Sequence, residues 1–135
     1  MNKIKAYVSH IIRGAKGVTA TVDEMEANNQ RAIDFTNELR KKFPTIEFYC
    51  PGEHDEFVLL AYLNDYLTEE QILDIDCDIL AKRDLLINYV PDDYRSKGMQ
   101  VENKEAGLCG IPVVDCKDTS DTELIERFLE GKLKG

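Results

Sequence analysis

The stretch DLLINYV, residues 84–90, is apolar at five of its seven positions, Asp84 and Asn88 being the exceptions. A half-buried strand alternates polar and apolar residues. Apolar residues at consecutive positions, Leu85-Leu86-Ile87 and again Tyr89-Val90, suit a strand covered on both faces. Parallel strands joined through helices supply such cover, because each crossover lays a helix on the sheet. The flanking sequence repeats that logic outward in both directions.

Just upstream, Thr68 and Gln71 form a capping box opening a helix that carries Ile72, Ile75, Ile79 and Leu80. Downstream, residues 91–97 read as a polar loop, Gly98 to Cys109 as a helix, Gly110 to Val114 as a fourth strand, and Thr122 to Leu129 as a last helix. Toward the N-terminus, Lys3 to Val8 reads as the first strand, and residues 9–20 form a loop with two glycines. Thr21 and Glu24 cap a helix whose Met25, Ala32, Phe35, Leu39 and Phe43 recur at helical spacing until Pro44 stops it. Ile46 to Cys50 is a short second strand, closed by Pro51-Gly52. His54 to Tyr66 has a helical pattern with Phe57, Leu60, Ala61 and Asn64 on one side.

The resulting order, β-α-β-α-α-β-α-β-α, predicts one α/β domain over residues 1–135. It is a three-layer Rossmann-like (flavodoxin-like) arrangement, with a mostly parallel sheet of four to five strands flanked by helices. Ligands of such sheets bind beyond the carboxyl ends of the strands. Loops 9–17, 51–56 and 91–98 are therefore the places to look.

Composition narrows the partners. The net charge of −9 over 135 residues argues against a grip on a nucleic acid polymer, which needs a basic face. A small phosphorylated ligand remains compatible, since one arginine and a few backbone amides hold a phosphate. No apolar run approaches the roughly 20 residues of a membrane span, and the apolar part of MNKIKAYVSH is too short for a signal peptide. We expect a cytoplasmic protein with no membrane association. Cys50, Cys77, Cys109 and Cys116 make no CxxC pair, so free thiols are expected, with no metal site and no cofactor.

Several residues could carry chemistry. Glu102 falls near the start of the helix after the third strand, where a carboxylate is favoured for purely structural reasons. Ser96 and Gly98 just upstream leave an open approach to it. Asp76 shares a helix face with Ile72, Ile79 and Leu80, and a carboxylate turned toward the interior is costly unless paired or working. Arg13-Gly14 could hold a phosphate, although HIIRGAKG matches neither a dinucleotide fingerprint nor a P-loop. His54 follows the second strand beside three acids. Tyr7, Tyr89 and Tyr94 lie near strand ends, where packing with a wet hydroxyl competes with stacking on a base. Asp92 and Asp93 read as turn residues.

Taken together, Tyr7-x5-Arg13-Gly14, His54, Asp76-x7-Asp84, Ser96-x-Gly98-x3-Glu102-x3-Ala106 and Gly110-Ile-Pro-Val resemble the nucleoside 2-deoxyribosyltransferase superfamily over residues 5–115. The nearest branch is the deoxynucleoside 5′-monophosphate N-glycosidases. The resemblance implies cleavage or transfer at the bond between a base and C1′ of deoxyribose. It casts Glu102 as the nucleophile, Asp76 as the residue handling the proton on the base, and Tyr7 as the residue orienting the nucleophile. Arg13 and Ser96 would hold the 5′-phosphate, with Gly14, Gly98 and His54 completing the substrate-binding set. A serine at 96 tolerates a phosphate that the aspartate typical of the unphosphorylated-nucleoside enzymes would repel. Ile11 stands where the family has a serine, and Glu105 adds a negative charge near the helix start. The resemblance also implies a homodimer or higher homo-oligomer. A reading of another class is a non-catalytic nucleotide or nucleotide-signal binding protein on the same fold, which would have no need of both acids.

Overall fold

The computed structural model describes residues 3–12 and 19–131. The chain runs β1 (Ile4–Ser9), α1 (Val22–Lys42), β2 (Ile46–Tyr49), a 3-10 turn (Pro51–His54), α2 (Asp55–Leu63), α3 (Glu69–Leu80), β3 (Leu85–Tyr89), α4 (Lys97–Leu108), β4 (Val113–Cys116) and α5 (Glu123–Leu129). All the strand pairings are parallel, and the order across the sheet is β2-β1-β3-β4. Chain order reverses between β1 and β3, which pair Ala6 with Leu85 and Ser9 with Asn88. That boundary is the switch point where an open α/β sheet leaves a crevice at its carboxyl ends.

Alternation along each strand divides the molecule into three layers. Ala6, Val8, Leu85, Ile87, Val114 and Cys116 meet Phe35 and Leu39 of α1 and Ile125 of α5 on one face. Tyr7 and Leu86 meet Leu80 of α3 and Ala106 of α4 on the other. Leu85, Leu86 and Ile87 are consequently all inaccessible to water, as the apolar run requires. Each such side chain contributes about 1.5–3 kcal/mol of burial. The expected stripe of α1 is buried, and both capping boxes form.

Three expectations need correction. In α2, Phe57 and Leu60 face solvent while Ala61 is buried, so the predicted apolar side does not cover the core. Helix α4 begins at Lys97 on the Ser96 cap, one residue before the expected Gly98, which puts Glu102 in its second turn. Strand β4 starts at Val113 and extends to Cys116, later than predicted. The cause is local: Gly110 takes a left-handed φ of 70° after the helix, and Ile111 N–H returns to the Ala106 carbonyl at 2.8 Å. Pro112 has no N–H to give, although its carbonyl accepts from Leu86 N–H at 2.9 Å. The shift places Asp115 on β4 with its side chain toward α4.

Candidate active site

Tyr7 and Ser9 are two apart on β1 and so share a face. Both meet one carboxylate. The Tyr7 hydroxyl donates to Oε2 of Glu102, and the Ser9 hydroxyl donates to Oε1 at 2.7 Å. Glu102 arrives there because Met99, Glu102 and Ala106 form the inward stripe of α4, at i, i+3 and i+7. Only 5 % of its surface is exposed. Burial pushes its pKa up, the Tyr7 and Ser9 bonds pull it down, and the Asp76 charge raises it again, leaving it at about 7. The Tyr7 hydroxyl is itself buried beside the Glu102 and Asp76 charges, which holds its pKa well above 10.0 and keeps it a donor.

Asp76 closes the constellation from α3. It is half-buried, and burial lifts its pKa to about 6. Its charge adds to the upward shifts of Glu102, Tyr7 and Tyr49, which places it on the same side of the sheet as Glu102. A ladder of rings borders this pair. Tyr7 and Tyr49 lie 5.4 Å apart and tilted, Tyr49 stacks on His54 at 5.1 Å, and the Arg83 guanidinium sits 5.4 Å from the Tyr49 ring. Asp76 and burial raise the Tyr49 pKa to about 12, with burial the larger effect. His54 thus reaches the site through Tyr49, while its own ring stays exposed.

Ser96 is the N-cap of α4: its Oγ accepts from Met99 N–H at 3.2 Å, leaving its hydroxyl proton free to donate to a ligand. Gly98 is half-buried in the first turn, and a Cβ there would make only ordinary contacts at 3.9 Å. Arg13 and Gly14 lie outside the described residues. Tyr89 stacks on Phe35 in the core of the opposite layer, 4.2 Å between ring centroids, which removes it from the Glu102 side of the sheet. Tyr94 is exposed. Asp93 occupies a left-handed turn with φ 58°, as its type favours, and Asp92 pairs with Arg31 at 3.3 Å.

Residues not anticipated from sequence also shape this end of the sheet. Ser9 could have been found by noting that it shares the strand period of Tyr7. His10 is buried and clasps two loops: its Nδ1 bonds the Ile11 carbonyl at 2.9 Å, and its Nε2 accepts from Gly52 N–H at 3.0 Å. Asn88, Asn103, Asp115 and Arg95 form a polar network against the far side of α4. An open cleft of about 480 Å³ lies there, lined by Arg95, Gln100, Asn103, Val113, Asp115 and Leu124, and it includes neither Glu102 nor Asp76. Among the described residues no cluster of three or more His, Cys, Asp or Glu is arranged to hold a metal. No helix there is long and apolar enough to cross a membrane.

No protein-family model matches the chain, and no curated protein does. Among solved structures, it is similar to a conserved protein from Enterococcus faecalis. The two share 20% identity and a TM-score of 0.60, over 96% of this chain and 76% of that one. At that identity the likeness concerns the fold, a Rossmann-like α/β arrangement.

Proposed function

We propose that this chain cleaves or transfers the N-glycosidic bond of a 2′-deoxyribonucleoside 5′-monophosphate. One observation carries the reading: a buried carboxylate, Glu102, is held by two hydroxyls from β1 within reach of the Asp76 charge, at the switch point of the sheet. Glycosidic cleavage develops positive charge at C1′, which a carboxylate stabilises and then captures. In this scheme a Glu102 oxygen bonds to C1′ as the C1′–N bond breaks. The departing base takes the proton of Asp76, and water or a second base then displaces the sugar from Glu102. Tyr7 and Ser9 aim the carboxylate, and Tyr49 with His54 offers ring faces to a base. The Ser96 hydroxyl, with Arg13 and Gly14, is the proposed hold on the 5′-phosphate.

The chemistry needs Glu102 ionised and Asp76 protonated. With carboxyls at about 7 and about 6, that combination is a minority form that peaks between the two values. Activity is therefore expected to follow a bell in pH, falling in acid as Glu102 gains its proton and in base as Asp76 loses its own. The four cysteines are free, in keeping with a cytoplasmic setting. The proposal includes a homodimer, for which exposed Ile75, Val101 and Leu108 on the neighbouring helices α3 and α4 offer apolar surface.

The test is incubation with a panel of deoxynucleosides and their 5′-monophosphates, with free base measured by chromatography. Release should be lost in Glu102→Ala and fall about 100-fold or more in Asp76→Asn. Normal release from Glu102→Ala would remove Glu102 from the site, and no release from any member of the panel by the unaltered chain would remove the activity.

A further inference from the structure

Asn88 on β3 is inaccessible to water, and a buried carboxamide is costly unless its donors and acceptor are engaged. Its Nδ2 donates to Asn103 Oδ1 at 2.8 Å and to Asp115 Oδ1 at 3.1 Å, while its Oδ1 accepts from Asn103 Nδ2 at 2.9 Å. Asn103 Nδ2 also donates to the Met99 carbonyl at 2.7 Å. The two amides therefore close a reciprocal ring, and every N–H of both is used. Asp115 selects the orientation of the ring, since a flipped Asn88 would turn its oxygen at a carboxylate. Burial pushes the Asp115 pKa up, but hydrogen bonds from Arg95 and Asn88 outweigh it and keep the group below its ordinary value of 3.8. Arg95 belongs to the β3–α4 loop, one residue before the Ser96 cap.

Asn103 is the residue after Glu102, about 100° farther round the same helix. The buried apolar side chains on the inward face of α4 are Met99 and Ala106, and they hold the helix against the sheet. Burial has no preferred direction; a double hydrogen bond does. We propose that the Asn88–Asn103 amide pair, braced by Asp115 and Arg95, is the positioning device that sets the rotation of α4 and aims Glu102 at Tyr7 and Ser9. Neither amide meets the substrate. Both act through the carboxylate beside them.

The role of the pair in turnover rests on the glycosidase reading, but its geometric claim does not, so the decisive readout needs no activity. In Asn103→Ala, the Glu102 carboxyl followed by carbon-13 NMR through a pH titration should shift its midpoint by about half a pH unit or more. The Tyr7 hydroxyl proton should lose its hydrogen-bonded resonance. Should Asn103→Ala not fold, Asp115→Ala on the edge strand β4 removes the brace and is expected to shift the midpoint in the same sense. An unchanged Glu102 midpoint and an unchanged Tyr7 resonance in a folded Asn103→Ala, or in Asp115→Ala if that variant stands in, overturn the inference. If base release is found, kcat should fall about tenfold in Asn103→Ala with little change in KM. An absence of base release in the unaltered chain refutes the glycosidase reading and leaves the NMR result to decide this one.

Discussion

Glu102 is held at a cost to the fold. Its carboxyl ionises near 4.5 in an exposed chain but near 7 in the structure, burial being the main cause. Between those values the folded protein keeps a proton that the unfolded chain has released, so stability falls as pH rises through the window. At about 1.4 kcal/mol per pH unit, the ionised carboxylate costs on the order of 3 kcal/mol above pH 7. Glu102→Gln removes that charge and keeps the shape. It should resist urea better than the parent at pH 8, with the advantage closing below about pH 4.5 as the parent becomes protonated. A Gln variant less stable at pH 8 would mean that the site does not strain its carboxylate. Such a gain paired with loss of activity is the expected trade at a reactive group. Asp76 could be picked out from its place on the apolar face of a helix, whereas Glu102 stood out only through Ser96 and Gly98 upstream and the family resemblance. Their placement on one side of the sheet could not be read this way, since it depends on how α3 and α4 lie side by side across the sheet.

Among the elements, the carboxyl ends of β1 and β2 are joined by a clasp. His10 receives the Gly52 N–H, and a Cβ on Gly52 would lie 3.2 Å from both the Asn29 carbonyl and the His10 ring. Gly52→Ala must therefore push α1 or the His10 loop away, at about 1–3 kcal/mol, read as a lower midpoint in chemical denaturation. The bond from Gly52 requires Nε2 without a proton. Burial lowers the His10 pKa from 6.5, the Ile11 bond offsetting this only in part. Unfolding lets the ring take up a proton, so this contribution is present above pH 6.5 and is lost as pH falls below it. His10→Ala should weaken the fold at pH 8 and flatten its dependence on pH between 6.5 and 5, which a urea series at several pH values would detect. The start of α4 was read one residue late, because the cap oxygen of Ser96 went unrecognised. At β4 the left-handed Gly110 and Pro112 delay the strand to Val113, where it pairs with Leu86 of β3.

Over the whole molecule, 26 acidic residues face 17 basic ones, and the net charge of −9 repels itself in the folded state. The exposed pairs Arg31–Asp92 and Lys117–Asp93 each offset this by less than about 1 kcal/mol. Raising sodium chloride from about 10 mM to about 500 mM shortens the screening length from about 30 Å toward a few ångströms. The thermal midpoint is then expected to rise by several degrees; a fall would show that the ion pairs outweigh the repulsion. At this scale the fold class was legible, because apolar periodicity and capping residues are local consequences of side-chain chemistry. The run at 84–90 had to be a strand with helices on both sides, and Thr21 and Thr68 had to begin helices. The layer that α2 would cover was not legible, nor was the network behind α4. Phe57 and Leu60 satisfy a helical period equally well facing a core or facing water, and only the packing of the other helices settles which. Asn88, Asn103 and Asp115 are unremarkable polar letters until parallel pairing sets Asn88 beside Asp115 and the rotation of α4 sets Asn103 against both. Hydrogen bonds between residues far apart in the chain are properties of that register, so the tertiary structure alone decided them.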